Sequence, residues 1–395
     1  MVAIARKPDS LRAIILFSAV GSMAAGIHGG LIRLGLPLGF GPELAVSHGP
    51  IMVCGLFGTL ISLERAVAMA RSWPYLAPAL FAIGSGALIA GAPALLAGAL
   101  FTGGAAILTL GSLVILRQQP ALFTLALLGG ATGLLVGNAM WTAGAPVPDL
   151  VGWWLAFLVC TIAAERLELS RMLRPPATAW PGFVAALVLL FLGAAAGLTS
   201  GIGGPAMGLS LFITTAWLLR HDIAMTTIRK TGATRFFAAA MLAGYVWLGL
   251  AGVLLLAGSA LPLRYDLVLH AVFIGFVISM VFGHALIILP AVTGIKLRYH
   301  WTLYLPLVLL HLSVVLRIAG GLFEAQAVRT LSGPVTAASL VLFAATLILL
   351  ACRRQPATSS HRQTRPAVSA DPQVDAEMLD CAPGNMVDDI VDAPR

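Results

Sequence analysis

A chain of 395 residues, 59% hydrophobic and only 10% charged, cannot cover a soluble surface, where about a quarter of the residues carry charge. With a mean hydropathy of +0.95, its main solvent is the lipid bilayer, which excludes a soluble enzyme, a nucleic-acid binder and a disulfide-stapled secreted domain. The formal net charge of +8 is uneven: residues 355–395 hold seven acids (Asp371, Asp375, Glu377, Asp380, Asp388, Asp389, Asp392) against three bases, so the basic excess lies in the rest of the chain.

Apolar runs near the ~20-residue length that crosses ~30 Å of hydrocarbon fall, in chain order, at roughly 11–32, 43–69, 73–91, 93–116, 121–144, 149–169, 180–200, 203–220, 235–258, 264–290, 301–323 and 328–351. They predict an all-α, polytopic membrane protein of twelve transmembrane helices over residues 1–354. The first run follows Arg6, Lys7 and Arg12 without an A-x-A-type cleavage site, so it reads as an uncleaved anchor. The second and tenth exceed the bilayer thickness and imply tilt. The third and fourth are divided by a tight turn at Gly91, Ala92 and Pro93. Residues 355–395, rich in Pro, Ala, Ser and Asp and without apolar periodicity, read as a disordered cytoplasmic tail.

Charge placement orients these runs. With the N-terminus inside, 17 basic residues fall on inner segments, from Arg6 through Arg65, Arg166, Arg174 and Arg220 to Arg354. Four fall outside: Arg33, Arg264, Arg317 and Arg329. This alternation puts both termini in the cytoplasm. The four cysteines form no CxxC pattern and offer neither a disulfide framework nor a thiolate metal site. A faint echo links the second run, ending Thr59…Glu64-Arg65, to the sixth, ending Thr161…Glu165-Arg166. It is either an internal repeat or a recurring interfacial ion pair.

Ionisable groups within spans are costly, and each is a candidate for function. Five histidines, His28, His48, His270, His284 and His311, lie in spans. His48 stands six residues after Pro42 and His270 six after Arg264, both in the outer third, and His28 ends the first run at similar depth. Two imidazoles at one depth on different helices can clamp a haem iron axially, and Gly49, Gly55, Gly58 and Gly275 thin the facing helices. Those glycines serve equally for close helix packing, and each histidine serves equally as a hydrogen-bonded packing residue. Arg317 has no evident carboxylate partner except Glu324, so a haem propionate would answer its charge, with Arg33 or Arg264 assisting. His284 shares a helix face with His270, ~21 Å away along the axis. It is either a copper ligand, with His300 or His221, or a hydrogen-bonding residue. His311 sits mid-span on the helix of Arg317.

The segment Val46-Ser-His48-Gly49-Pro-Ile-Met52 resembles the His-Gly-x-x-Met element of haem–copper oxidase catalytic subunits, where the second and tenth helices supply the axial ligands of a low-spin haem. The sixth run has no histidine and the seventh no histidine pair, so the resemblance does not extend to an oxygen-reducing copper site. The stretch His270-Ala271…Phe276…Met280…His284, followed by Thr293-Gly294, and Leu316-Arg317-Ile318-Ala319 are similar to motifs of the NnrS family, twelve-span bacterial membrane proteins of nitric oxide tolerance associated with haem and copper. The likeness covers about 80 residues, lacks that family's Trp-His-x-His-Glu element, and splits its Gly-His-Thr-Gly unit. It implies an oxidase-subunit-I-like bundle in the bacterial inner membrane that binds haem through His48 and His270. Arg317 would stand at the propionates, and His28, His284 and His311 would be secondary ligands or cavity residues. Copper, and respiratory or denitrification electron carriers, would be partners. Two other classes remain open from the residues: a multi-pass permease without cofactor, and an assembly or structural partner of a respiratory complex.

Overall fold

The computed structural model describes residues 10–352 apart from 40, 259, 260, 262 and 296; the predicted tail lies outside the described residues. The described part is all helix and turn. Twelve long helical stretches follow the predicted runs: α1 (Ser10–Arg33), α2 (Pro42–Met69), α3 (Trp73–Ile89), α4 (Ala94–Gln118), α5 (Leu122–Thr142), α6 (Val147–Leu173), α7 (Ala179–Ala196), α8 (Gly203–His221), α9 (Gly232–Leu256), α10 (Arg264–Thr293), α11 (Trp301–Leu322) and α12 (Gln326–Cys352). Ten of them are long and apolar enough to cross a membrane; α3 and α8 fall short on length or composition. The chain is a polytopic helical membrane bundle.

Helix ends follow local chemistry. Gly41, at φ +71°, turns the chain into Pro42 at the first position of α2, where a proline loses no helical hydrogen bond. Gly91, at φ +83°, makes the expected turn between α3 and α4, a conformation that costs glycine nothing. Consecutive helices pack as hairpins: α3 with α4, α4 with α5, α5 with α6, α7 with α8 and α11 with α12.

α6 is the axis of the bundle. In its most apolar window 78% of residues are buried, against 22% in α1 and 28% in α12. A helix apolar all round must be surrounded by other helices, whereas α1 and α12 give most of their surface to lipid. Polar groups inside are tied across helices. Asn138 Oδ1 accepts from Trp154 Nε1 at 2.9 Å and from Cys54 Sγ at 3.1 Å, while its amide donates to the Phe101 carbonyl at 3.1 Å. Ser22 and Ser85 hydroxyls lie 2.7 Å apart, and Ser279 donates to the Ala240 carbonyl at 2.8 Å. Such interhelical bonds contribute about 0.6 kcal/mol each in a bilayer.

Two helices depart from α geometry. α2 runs as π-helix over Ile51–Gly58, and α10 over Ala271–Ile278. Each wide segment lies just beyond a histidine, His48 in α2 and His270 in α10. π-Segments within α-helices concentrate at functional sites. In α2 the segment follows Pro50, which has no N–H to continue the α ladder.

Candidate haem site between α2 and α10

His48 and His270 present the same local arrangement. The Nδ1 of His48 donates to the Gly26 carbonyl of α1 at 2.7 Å. The Nδ1 of His270 donates to the Asp266 carbonyl, one turn earlier, also at 2.7 Å, with the Asp266 carboxylate 3.2 Å away. A backbone carbonyl accepts only from N–H, so both imidazoles carry a proton on Nδ1, and the neutral ring with that tautomer has its lone pair on Nε2. Among the described residues neither Nε2 has a hydrogen-bond partner. The two rings lie close enough to interact electrostatically, with Arg33 and Arg317 in the same range of His48.

Glycines of α1 shape this arrangement. A Cβ on Gly30 would meet His48 Cε1 at 2.9 Å, and one on Gly26 would run into Met52. The imidazole of α2 thus packs closely against α1. The sequence pointed instead to Gly49, Gly55, Gly58 and Gly275, and three of these are filled by protein. Ser85 and Ser22 fill the place beside Gly55, Phe81 that beside Gly58 and Trp247 that beside Gly275. Of the two readings the sequence leaves open, room for a cofactor or close helix packing, Gly55, Gly58 and Gly275 take the second.

The expected partner of Arg317 is also corrected. Its guanidinium grips Asp266 with two bonds, Nε to Oδ2 at 3.0 Å and Nη2 to Oδ1 at 2.6 Å. Arg329 of α12 reaches the same carboxylate at 3.2 Å. It can do so because Gly320 lets the backbone of Arg329 lie against α11, where a Cβ would collide with it. Sequence alone leaves Arg317 to a haem propionate, with Glu324 as its one evident carboxylate; in the structure Asp266 takes that place. One carboxylate shared by two arginines leaves a positive charge over, and Arg33 adds another nearby, where it donates to the Ala45 carbonyl at 3.2 Å. Arg264 stands two residues before Asp266, its guanidinium 3.5 Å from the Leu255 carbonyl.

The other histidines occupy different surroundings. His28 lies on α1 beside Gly41. His311 has both nitrogens engaged: Nδ1 accepts from Trp247 Nε1 at 2.9 Å, so Nε2 donates to Ser279 Oγ at 3.3 Å. His284 donates from Nδ1 to the Met280 carbonyl at 2.7 Å, and its Nε2 accepts from Arg166 Nη2 at 2.9 Å. His300 pairs with Thr302 at 2.9 Å, and His221 packs on the Trp217 ring. Among the described residues no three His, Cys, Asp or Glu side chains gather as a metal site.

A second polar cluster surrounds Arg166, which is 2% exposed. Its guanidinium lies 5.0 Å over the Phe237 ring, and its Nε and Nη1 have no protein partner among the described residues. Next to it in sequence, Glu165 accepts from Arg65 Nη2 at 2.9 Å. The echo between α2 and α6 is thus a physical contact, one Glu-Arg pair closing on the other. Nearby Asp222, outside the spans, accepts from the Ala224 N–H at 2.6 Å and from the Tyr245 hydroxyl at 3.1 Å; burial raises its carboxyl above the ordinary range.

A family model described as "Domain of unknown function (DUF8744)" matches residues 12–352. No curated protein matches the chain. Among solved structures the fold is similar to that of a heme-copper terminal oxidase dimer determined by cryo-EM, with a TM-score of 0.53 and 13% sequence identity, covering 88% of this chain and 85% of that one. The oxidase-like bundle expected from the motifs is therefore the fold observed.

Proposed function

The chain belongs to the DUF8744 family, and we propose that it is a haem-binding protein of the bacterial inner membrane, with His48 and His270 as axial ligands. One observation carries the reading: two imidazoles on α2 and α10, each with Nδ1 held by a backbone carbonyl and Nε2 left as a lone-pair donor. A second ring nitrogen bonded to a carbonyl or carboxylate is the usual support of a metal-ligating histidine, since it fixes the tautomer and raises ligand basicity. The Asp266 carboxylate beside His270 adds to that basicity. Arg33, Arg317 and Arg329 supply a positive surplus suited to propionates, with Asp266 holding the latter two in place.

A bis-imidazole haem supplies one-electron transfer, and loss of one weak ligand would open a position for a diatomic gas such as nitric oxide. The protein's own part is to orient both rings, exclude water and fix the charge beside them. The likeness in fold to a heme-copper terminal oxidase and the NnrS-like motifs support membrane electron transfer or nitric oxide tolerance as the task. His311 and His284 stay outside the proposed ligand set, because neighbours engage both nitrogens of each. Copper accordingly has no role in it. The test is absorption of the purified protein after haem-replete expression. A Soret band is expected, lost in both His48→Ala and His270→Ala. A colourless wild-type protein rejects the reading.

A further inference from the structure

The inner end of the bundle carries a pocket that the haem reading does not use. It holds about 460 Å³ between the end of α6 and the adjoining ends of α7 and α8, and is lined by Leu173, Arg174, Pro175, Thr178, Arg220 and His221 among others, with no acid among them. Arg174 and Arg220 are exposed and make no ion pair or side-chain hydrogen bond among the described residues. The nearest acid in sequence, Asp222, spends its carboxylate on the Ala224 N–H and the Tyr245 hydroxyl. Arg174 stands at φ +48°, closing the turn that ends α6. A non-glycine residue rarely adopts that conformation, and here it goes with a place for Arg174 in the lining that Arg220 shares.

The rim is apolar. Met172 is 72% exposed, Leu173 43% and Leu219 37%, and Trp180 and Trp217 sit together beside it, the Trp217 indole donating to the Ala179 carbonyl at 2.9 Å. Tryptophans near arginines at the ends of membrane helices mark the level of lipid headgroups. A pocket with two unpaired guanidiniums, a hydroxyl and a hydrocarbon rim fits a phosphate ester whose chains continue into the bilayer; basic pockets between helices on the cytoplasmic side bind such headgroups. We propose that this pocket binds the phosphate of an anionic phospholipid from the inner leaflet.

The test uses the full chain in mild detergent, exposed to equal amounts of phosphatidylglycerol and phosphatidylcholine and read by native mass spectrometry. Wild type is expected to retain phosphatidylglycerol in preference. Arg174→Gln/Arg220→Gln should reduce that preference about tenfold or more, while Arg117→Gln, an exposed basic position in the last turn of α4, should leave it intact. Unchanged preference in the double variant, equal loss in Arg117→Gln, or no preference in wild type overturns the proposal. Displacement of the lipid by millimolar inorganic phosphate, with the same dependence on the two arginines, would assign the pocket to a free anion and overturn it as well.

Discussion

Asp266 connects three parts of the outer site: its backbone carbonyl orients His270, and its carboxylate holds Arg317 and Arg329. Asp266→Asn leaves two guanidiniums with a neutral partner. It should cost roughly 2–3 kcal/mol, somewhat below the ~3–5 kcal/mol of a fully buried pair because the carboxylate is partly exposed. The check is thermal unfolding in detergent. In the haem-loaded protein the same change should raise the reduction potential, since His270 becomes a weaker donor to the oxidised iron. His284→Ala separates packing from ligation. It removes the protein acceptor on Arg166 Nη2 and should lower stability by about 1–3 kcal/mol, while haem content measured by absorption stays at the wild-type level. At this scale the sequence disclosed the histidine pair, because matched depth on two runs is arithmetic, and it singled out Arg317 as an intramembrane cation. It did not disclose the partner. An aspartate two residues into a helix looks like a helix start, and only the i,i+4 spacing of Asp266 and His270 could have suggested otherwise. The pairing of Arg166 with His284 joins residues 118 apart in the chain, which no local pattern encodes.

At the scale of elements, the twelve runs read from hydropathy match the twelve helices to within a few residues, because an apolar stretch bounded by Gly, Pro and Arg has little choice in a bilayer. The π-segments after His48 and His270 were not legible, since hydropathy does not register whether an N–H reaches back four residues or five. Glycine roles were ambiguous for a similar reason: composition shows where a side chain is absent, not what fills the place. Gly30 and Gly320 emerge as the positions where a close approach is required. Gly30→Ala would push a methyl into the His48 ring. It should reduce haem occupancy severalfold and cost about 1–3 kcal/mol through overpacking, read by the haem-to-protein absorbance ratio and by thermal unfolding. Gly320→Ala would press α12 away from α11 and draw Arg329 off Asp266. It should lower stability by a similar amount, and in an Asp266→Asn background its added effect should shrink, because the contact it disturbs is already weakened.

At the scale of the whole molecule, three of the arginines assigned outside by charge alternation gather around the histidine pair: Arg317 and Arg329 on Asp266, and Arg33 within electrostatic range of His48. Those assigned inside include Arg65 and Arg166 of the second cluster and Arg174 and Arg220 of the lipid pocket. The alternation assigns these two groups of residues to opposite sides of the membrane. Single cysteines placed at Gly35 and Gly144 should accordingly be labelled by an impermeant thiol reagent in intact cells, and one at Gln119 only after permeabilisation; the reverse pattern would invert the assignment. The likeness to a heme-copper terminal oxidase at 13% identity shows how far this architecture persists while its polar residues change. The sequence conveyed the architecture through hydrophobicity, whereas the site depends on which few polar atoms meet. The central claim is that His48 and His270 together hold a haem, and the most direct measurement is low-temperature electron paramagnetic resonance of the oxidised, haem-replete protein. A low-spin bis-imidazole ferric signal, absent from His48→Ala and from His270→Ala, is the predicted result. A signal that survives both substitutions unchanged, or protein that carries no haem iron at all, would contradict it.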